Sequence, residues 1–321
     1  MIRLLAALLA ALIASVCAPL AAQEPFPSKP VRILIGYAAG GGNDIIVRVM
    51  QPELQKGLGQ PVVIENKPGA QGIIAAELAA RAAPDGYTLM MGPSGPMTIN
   101  PATYSKLPYS PTRDFAPISM IASFPLILTV DPKLPIRNVQ ELIAYAKANP
   151  GKSNYAQSAG IFQIATELFK QRTGAPFEMI GYKSSGESVQ AVIAGQVTMT
   201  LVDPPPAAGP IKAGTLRALA VTSAQRHPSW PDLPTLIEAG VPDMEVPVWT
   251  AFFAPAKTPP AVIARLQKEV ARVVQTAEVR ERFAQMGLDP VGGSSEEHGR
   301  RVARDIEKWT AVARAANIKN D

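Results

Sequence analysis

Two hydrophobic periods alternate along the chain. From Pro30 onward, short apolar runs rich in β-branched residues are separated by stretches whose apolar positions recur at helical spacing. Val31 to Tyr37 (VRILIGY) is almost continuously apolar, as in a strand covered on both faces. It ends in AAGGGND, after which Ile46, Val49, Met50, Leu54 and Leu58 fall on one helical face. Pro52 inside that pattern should kink the helix or move its start, because proline lacks an N–H and crowds the preceding turn. A strand PVVIE (61–65), the turn NKPGAQG, a helix over 73–81, the turn PDG and a strand TLMMG (88–92) complete a βαβαβ unit. A second series opens near Leu126 with LILTVD, then a helix whose start, Asn138 with Glu141, resembles a capping box. The pattern continues as strand SNYAQ, loop SAG, helix 161–172, strand FEMIGY, helix 187–194, strand VTMTLVD, a proline-rich turn PPPAAGP and strand LRALAVT. After a strand-like VPVWTAFFAP, Thr258 and Pro259 are placed to cap and start a helix bearing Ile263, Leu266, Val270 and Val273 on one face. Ser294 and Glu297 form a capping box for the last helix.

Strands alternating with helices predict an α/β fold with parallel sheets wrapped by helices. The 321 residues are too many for one ordinary core, and the two βα series read as two similar lobes. The expected division is a leader over 1–22, a first lobe over 23–122 plus 252–321, and a second over 123–251. Two crossings, near 118–126 and 246–254, would join them, and a ligand would sit in the cleft where strand ends and helix starts converge.

A content of 47% hydrophobic and 18% charged residues excludes a disordered chain. The one long apolar run lies at the N-terminus, which excludes a polytopic membrane protein. Met1 to Ala22 (MIRLLAALLAALIASVCAPLAA) has the layout of a cleavable secretory signal, with cleavage near Ala22 and a periplasmic destination. An uncleaved anchor and lipidation at Cys17 are the alternatives, the latter disfavoured by Val16, where lipoprotein signals want a small residue. Cleavage would leave no cysteine, hence no disulfide and no thiol nucleophile. The net charge of +5 is scattered, which suits an anionic small molecule and gives no nucleic-acid footprint. The two histidines, His227 and His298, sit in polar contexts that read as surface, GxSxG is missing and no metal-ligand spacing occurs. Neither catalytic residues nor a cofactor nor a metal is expected.

Gly36 to Asp44 is the most informative stretch. Three glycines between a strand and a helix expose backbone N–H groups where the helix dipole favours an anion. The same pattern also fits a plain tight turn with Asn43 or Asp44 as cap. Gln157 to Gly160 and Gly92 to Gly95 are two further loops at strand ends. Asp203, closing an apolar strand, fits either a ligand donor group or a cap on the PPP turn. Trp249 fits either a cleft wall or the core.

The segments FPSKPVRILIGYAAGGGNDIIVR, LGQPVVIENKPGAQG, ARAAPDGYTLMMG, INPATYSKLPYSPTRDFAPIS, IKAGTLRALAVTSAQR and VRERFAQMGLDPVGG together resemble the Bug family, the periplasmic solute-binding receptors of tripartite tricarboxylate transporters. The resemblance implies a two-lobed Venus-flytrap fold closing on an organic anion held by backbone groups of two glycine-containing loops. Carried over by position, these loops are Ala39, Gly40, Gly41, Asn43 and Asp44, and Ser158, Ala159 and Gly160. Side-chain candidates are Tyr37, Ser94, Phe162, Tyr182, Lys183, Asp203 and Trp249. Ile73 and Phe162 stand where the family pattern is more polar, which implies a ligand with one carboxylate and a hydrophobic or aromatic body. The implied partners are a small mono- or dicarboxylic acid and the permease subunits of the transporter, with the receptor itself a monomer. A ligand-sensing receptor and an exported enzyme on the same fold are the alternative functions.

Overall fold

The computed structural model describes residues 26–320, so the expected leader, its cleavage site and Cys17 lie outside the described residues. The first series runs β1 (Val31–Ile35), α1 (Gly42–Leu58), β2 (Val62–Asn66), α2 (Ile73–Ala80) and β3 (Thr88–Pro93). β1 pairs in parallel with both β2 and β3. β3 leads through a π-helical turn (Gly95–Ile99) into the short α3 (Asn100–Thr103) and then to β4 (Phe115–Phe124). The second series is β5 (Ile127–Val130), α4 (Val139–Ala148), β6 (Asn154–Gln157), α5 (Gly160–Thr173), β7 (Glu178–Gly181), α6 (Ser185–Ile193), β8 (Met199–Val202), α7 (Pro204–Lys212) and β9 (Arg217–Val221). The chain closes with β10 (Val248–Pro255), α8 (Pro260–Val274), α9 (Ala277–Gln285), β11 (Asp289–Gly292) and α10 (Ser295–Ala315).

These strands form two sheets, in the orders β11-β4-β10-β3-β1-β2 and β7-β6-β8-β5-β9. Both are mixed rather than parallel: β10 opposes β3 and β4, β11 opposes β4, and β5 opposes β8 and β9. The reason is the path between the sheets. The chain leaves the first sheet along β4 and returns along its neighbour β10, so the two strands must run in opposite directions. Both strands lie wholly in the first sheet, so the changes expected at 122/123 and 251/252 fall inside β4 and β10. The connections themselves are the short links between Phe124 and Ile127 and just before Val248. Buried Thr222 ties them together: its Oγ1 accepts from the Leu126 N–H at 2.9 Å and donates to the Val246 carbonyl at 3.1 Å.

Proline accounts for three departures from the sequence reading. Helix α1 runs unbroken through Pro52 and buries Ile46, Val47, Met50, Leu54 and Leu58. The expected turn at 204–210 is helix α7, because Pro204, Pro205 and Pro206 occupy its first three positions, where an N–H has no intrahelical acceptor anyway. α8 begins at Pro260 with Pro259 as its N-cap, one residue later than expected. The caps at Asn138 and Ser294 form as the spacing predicts, each side chain accepting from the N–H three residues on.

Candidate functional site

β1 runs out through Tyr37 into the loop that starts α1. Gly40 has φ +79° with nothing near the position of a side chain, so the left-handed backbone and not crowding favours glycine there. Asp44 is buried beneath this loop, accepting from the Gly40 N–H at 3.0 Å and from Arg48 Nε at 2.9 Å. Burial alone would raise its carboxyl, but Arg48, the Gly40 N–H and Asn66 together hold it below the usual range. Asp44 therefore braces the loop and is not among the lining residues of the cavity, although its Oδ1 is buried without a hydrogen-bond partner.

Four helix starts converge on the seam between the lobes. α1 begins at Gly42 with Gly41 as N-cap, and α5 begins at Gly160 with Ala159 as N-cap; neither has a side-chain cap. α6 is capped by Ser184, and α7 starts after Asp203 without a side-chain cap. Between them lies a small cavity of about 20 Å³, room for about one water molecule. The first lobe contributes Tyr37, Gly41, Gly42, Asn43, Pro93 and Gly95, and the second contributes Ser158, Ala159, Ile161, Phe162, Ser185 and Asp203. Phe124 and Val248, a register pair of β4 and β10 beside the crossings, complete the lining. Thr250 Oγ1 donates to Asn43 Oδ1 at 2.9 Å and fixes that side chain.

Polar atoms here are short of partners. Tyr37 Oη, Ser158 Oγ and Asp203 Oδ1 are buried and make no hydrogen bond, and just behind them Ser94 Oγ, Gln71 Oε1 and Asn100 Oδ1 are in the same position. Such groups are ordinarily satisfied, so their clustering marks a place built to receive polar atoms from elsewhere. Burial pushes the Asp203 carboxyl up to about 6 against the opposing pull of the Ser185 hydroxyl, and burial also raises the Tyr37 hydroxyl.

The lobes touch across the seam. The Ala38 N–H donates to the Lys183 carbonyl at 3.1 Å, and the Gly42 N–H donates to Ser185 Oγ at 3.1 Å. A side chain at Gly42 would overlap the Asp203 carboxylate, and one at Gly186 would overlap the Gly40 carbonyl. The glycines of the first loop thus serve the approach of the second lobe as much as that of a ligand.

Of the expected site residues, Tyr37, Gly41, Asn43, Ser158, Ala159, Phe162 and Asp203 come together at the cavity. Ala39, Gly40 and Tyr182 line a separate, more open groove beside α6. Ser94 and Gly160 are buried just behind the wall, Gly160 facing Gln71 and Asn100. The Lys183 side chain is exposed, and Ile73 packs on the first-lobe core instead of the cavity. Trp249 is fully buried on the other face of β10 from Val248, as strand alternation requires, with Nε1 donating to Asp305 Oδ2 at 2.7 Å. Neither histidine is at the surface. His227 is buried with Nε2 3.1 Å from Asp289 Oδ2, and His298 is wedged between the rings of Trp249 and Phe253.

Phe124, Ile161, Ser185 and Val248 were not among the expected site residues, and Gly42, Pro93 and Gly95 were expected only as members of their loops. Ser185 could have been found from the helix-start pattern SSGE, and Phe124 and Val248 only from knowing where the chain crosses between sheets.

Residues 46–318 match the model of the tripartite tricarboxylate transporter family receptor. Protein BugT of Bordetella pertussis is 36% identical over 307 residues, covering 95% of this chain and 94% of that protein. The solved structure of Rpa4515 from R. palustris with adipate superposes with a TM-score of 0.88 at 34% identity, covering 92% of this chain and 99% of that one. MatC from Rhodopseudomonas palustris with bound malate superposes with a TM-score of 0.85 at 30% identity, covering 89% and 99%. The fold is that of two-lobed periplasmic binding proteins, and the family is one of receptors, not enzymes. With 273 of its 321 residues matched and its architecture shared, this chain belongs to the tripartite tricarboxylate transporter receptor family.

Proposed function

We propose that the protein captures a small organic carboxylate between its lobes in the periplasm and presents it to the membrane subunits of a tripartite tricarboxylate-type transporter. The observation that carries this reading is that two uncapped helix starts, Gly41-Gly42 and Ala159-Gly160, meet at one cavity from opposite lobes. The Gly42 N–H is taken by Ser185 Oγ, but helix starts without a cap from their own N-cap residue leave the next N–H groups for an anion and add the favourable end of the helix dipole. Each charge-assisted hydrogen bond contributes about 1.5–3 kcal/mol. Three or four of them offset the costs of association toward the roughly 8 kcal/mol of a micromolar complex. The adipate and malate held by the two related receptors support a carboxylate as ligand.

At about 20 Å³ the cavity is far smaller than the roughly 300–1,000 Å³ of small-molecule sites, so in this reading the lobes part to admit a ligand. No Lys or Arg is among its lining residues, and Phe124, Ile161, Phe162 and Val248 give it an apolar side. That lining favours one carboxylate on a hydrophobic body over a compact tricarboxylate. Residues up to 124 and from 248 onward form one lobe in this reading, the intervening residues the other, and the lobes close by bending at the two Thr222-linked connections. Calorimetry with 3-phenylpropanoate and citrate tests it. Binding of the aromatic acid with no response to citrate is expected, and tight citrate binding without the aromatic acid overturns the apolar-body reading.

A further inference from the structure

An aspartate at a helix N-cap ordinarily accepts from the N–H groups of the second and third helical residues. Asp203 holds that position ahead of α7, but the residues concerned are Pro205 and Pro206, preceded by Pro204, and none has an N–H. The helix needs no cap from it, and its side chain makes none. The carboxylate is left over, only 3% exposed, in the wall of the cavity.

Its surroundings divide its two oxygens. The Oδ2 side lies against Gly42 at the start of α1, and the Ser185 hydroxyl and the residue's own N–H are near enough to pull its carboxyl toward the ionised form. Because Ser185 Oγ already accepts from the Gly42 N–H, its one hydroxyl proton is free to be donated to Asp203. The starts of α1 and α6 beside it favour the ionised form, and an acid titrating at about 6 is ionised at neutral pH. Tyr37, the other titratable group of the lining, keeps its proton. Oδ1 has no partner, and the lining supplies no cation. A buried, ionised acceptor in this state is destabilising until something donates to it.

We propose that Asp203 is a specificity residue of this cavity: its free Oδ1 accepts a hydrogen bond from an ammonium group on the bound acid. The pocket therefore takes apolar amino acids in preference to the corresponding unsubstituted acids. The inference rests on the carboxylate reading above. The carboxylate of the zwitterion lies at the uncapped starts of α1 and α5, the ammonium at Asp203, and the side chain against Phe124, Ile161 and Phe162.

The test uses three probes that differ at one carbon, 3-phenylpropanoate, 3-phenyllactate and phenylalanine, titrated by calorimetry at pH 7.5. Phenylalanine is expected to bind at least about tenfold tighter than 3-phenylpropanoate, the size of one charge-assisted hydrogen bond, with phenyllactate between them. In Asp203→Asn the amino acid loses that advantage while 3-phenylpropanoate binds as before or tighter. Equal affinity for all three in the wild-type protein overturns the role of Asp203 and leaves the carboxylate reading standing. The same loss for all three in Asp203→Asn makes the residue structural and also overturns it. Failure of every acid to bind the folded protein overturns both readings.

Discussion

His298 shows what burial does to a single titratable group. It is 2% exposed, neither ring nitrogen has a partner, and it packs edge-on against Trp249 and tilted against Phe253 at 5.1 and 4.8 Å between ring centroids. Burial first, and then the nearby Arg301 charge, push its pKa down to about 4 from the usual 6.5. Between those two values the unfolded chain binds a proton that the native protein refuses, so stability is complete above about 6.5 and falls as the pH drops toward 4. The shift corresponds to something on the order of 3 kcal/mol. Asp203, whose folded pKa is raised, acts in the opposite direction over much of the same range. The His298→Gln variant isolates the histidine: urea unfolding across pH 4 to 7 should show a shallower acid-side loss than in the wild type. Identical slopes would mean that the native fold tolerates a protonated His298.

Helix ends carry the division between stability and binding at the level of the element. α4, α6 and α10 are capped by Asn138, Ser184 and Ser294, whereas α1 and α5, which bring glycine and alanine N-caps to the cavity, are not. Leaving an end uncapped forgoes about 1 kcal/mol of stability and keeps the N–H groups for a ligand. Ala159→Asp should recover that stability in the unliganded protein, about 1 kcal/mol by urea unfolding. The new carboxylate would then compete for the α5 N–H groups and weaken acid binding by about tenfold or more. A variant that binds as tightly as the wild type would remove the α5 start from the binding mechanism. α7 uses a third solution, in which three prolines abolish the need for a cap and release Asp203.

For the whole molecule, the question is how two lobes joined by short links come together. At the cavity the lobes approach through glycines and backbone, Ala38 to the Lys183 carbonyl, Gly42 to Ser185 Oγ and Gly186 against the Gly40 carbonyl, while side chains such as Gln163 with Gln71 and Asn320, and His227 with Asp289, join them elsewhere. Since a methyl at Gly42 would overlap the Asp203 carboxylate, Gly42→Ala should hold the lobes apart without touching either core. In small-angle scattering at saturating ligand, this variant should keep a larger radius of gyration than the wild type. Its affinity should fall by about tenfold or more, since binding draws on a closed form that is now rarer. Equal compaction and equal affinity would show that the seam relaxes around the added methyl and that Gly42 does not gate closure.

The α/β class, most helices and strands, and the caps at Asn138 and Ser294 are legible in the amino-acid order because they depend on periodicity and on bonds three residues apart. So is the first loop, where Gly40 needs a left-handed backbone that few other residues adopt. The alternatives left open at Asp203 and Trp249 were decided by tertiary structure. Trp249 became core because β10 lies in the middle of the first sheet, which fixes the face each residue presents. Asp203 became a cavity residue because the sequence next to it forms a helix that cannot use it. The mixed sheets, the register pair Phe124 and Val248, and Ser185 depend on contacts between residues as far as 172 positions apart, Met120 with Gly292. No local period records such distances. Sequence determined which segments fold as helices and strands and where N–H groups are left free; only the packing of the two lobes decided which of those groups face one another across a closed space.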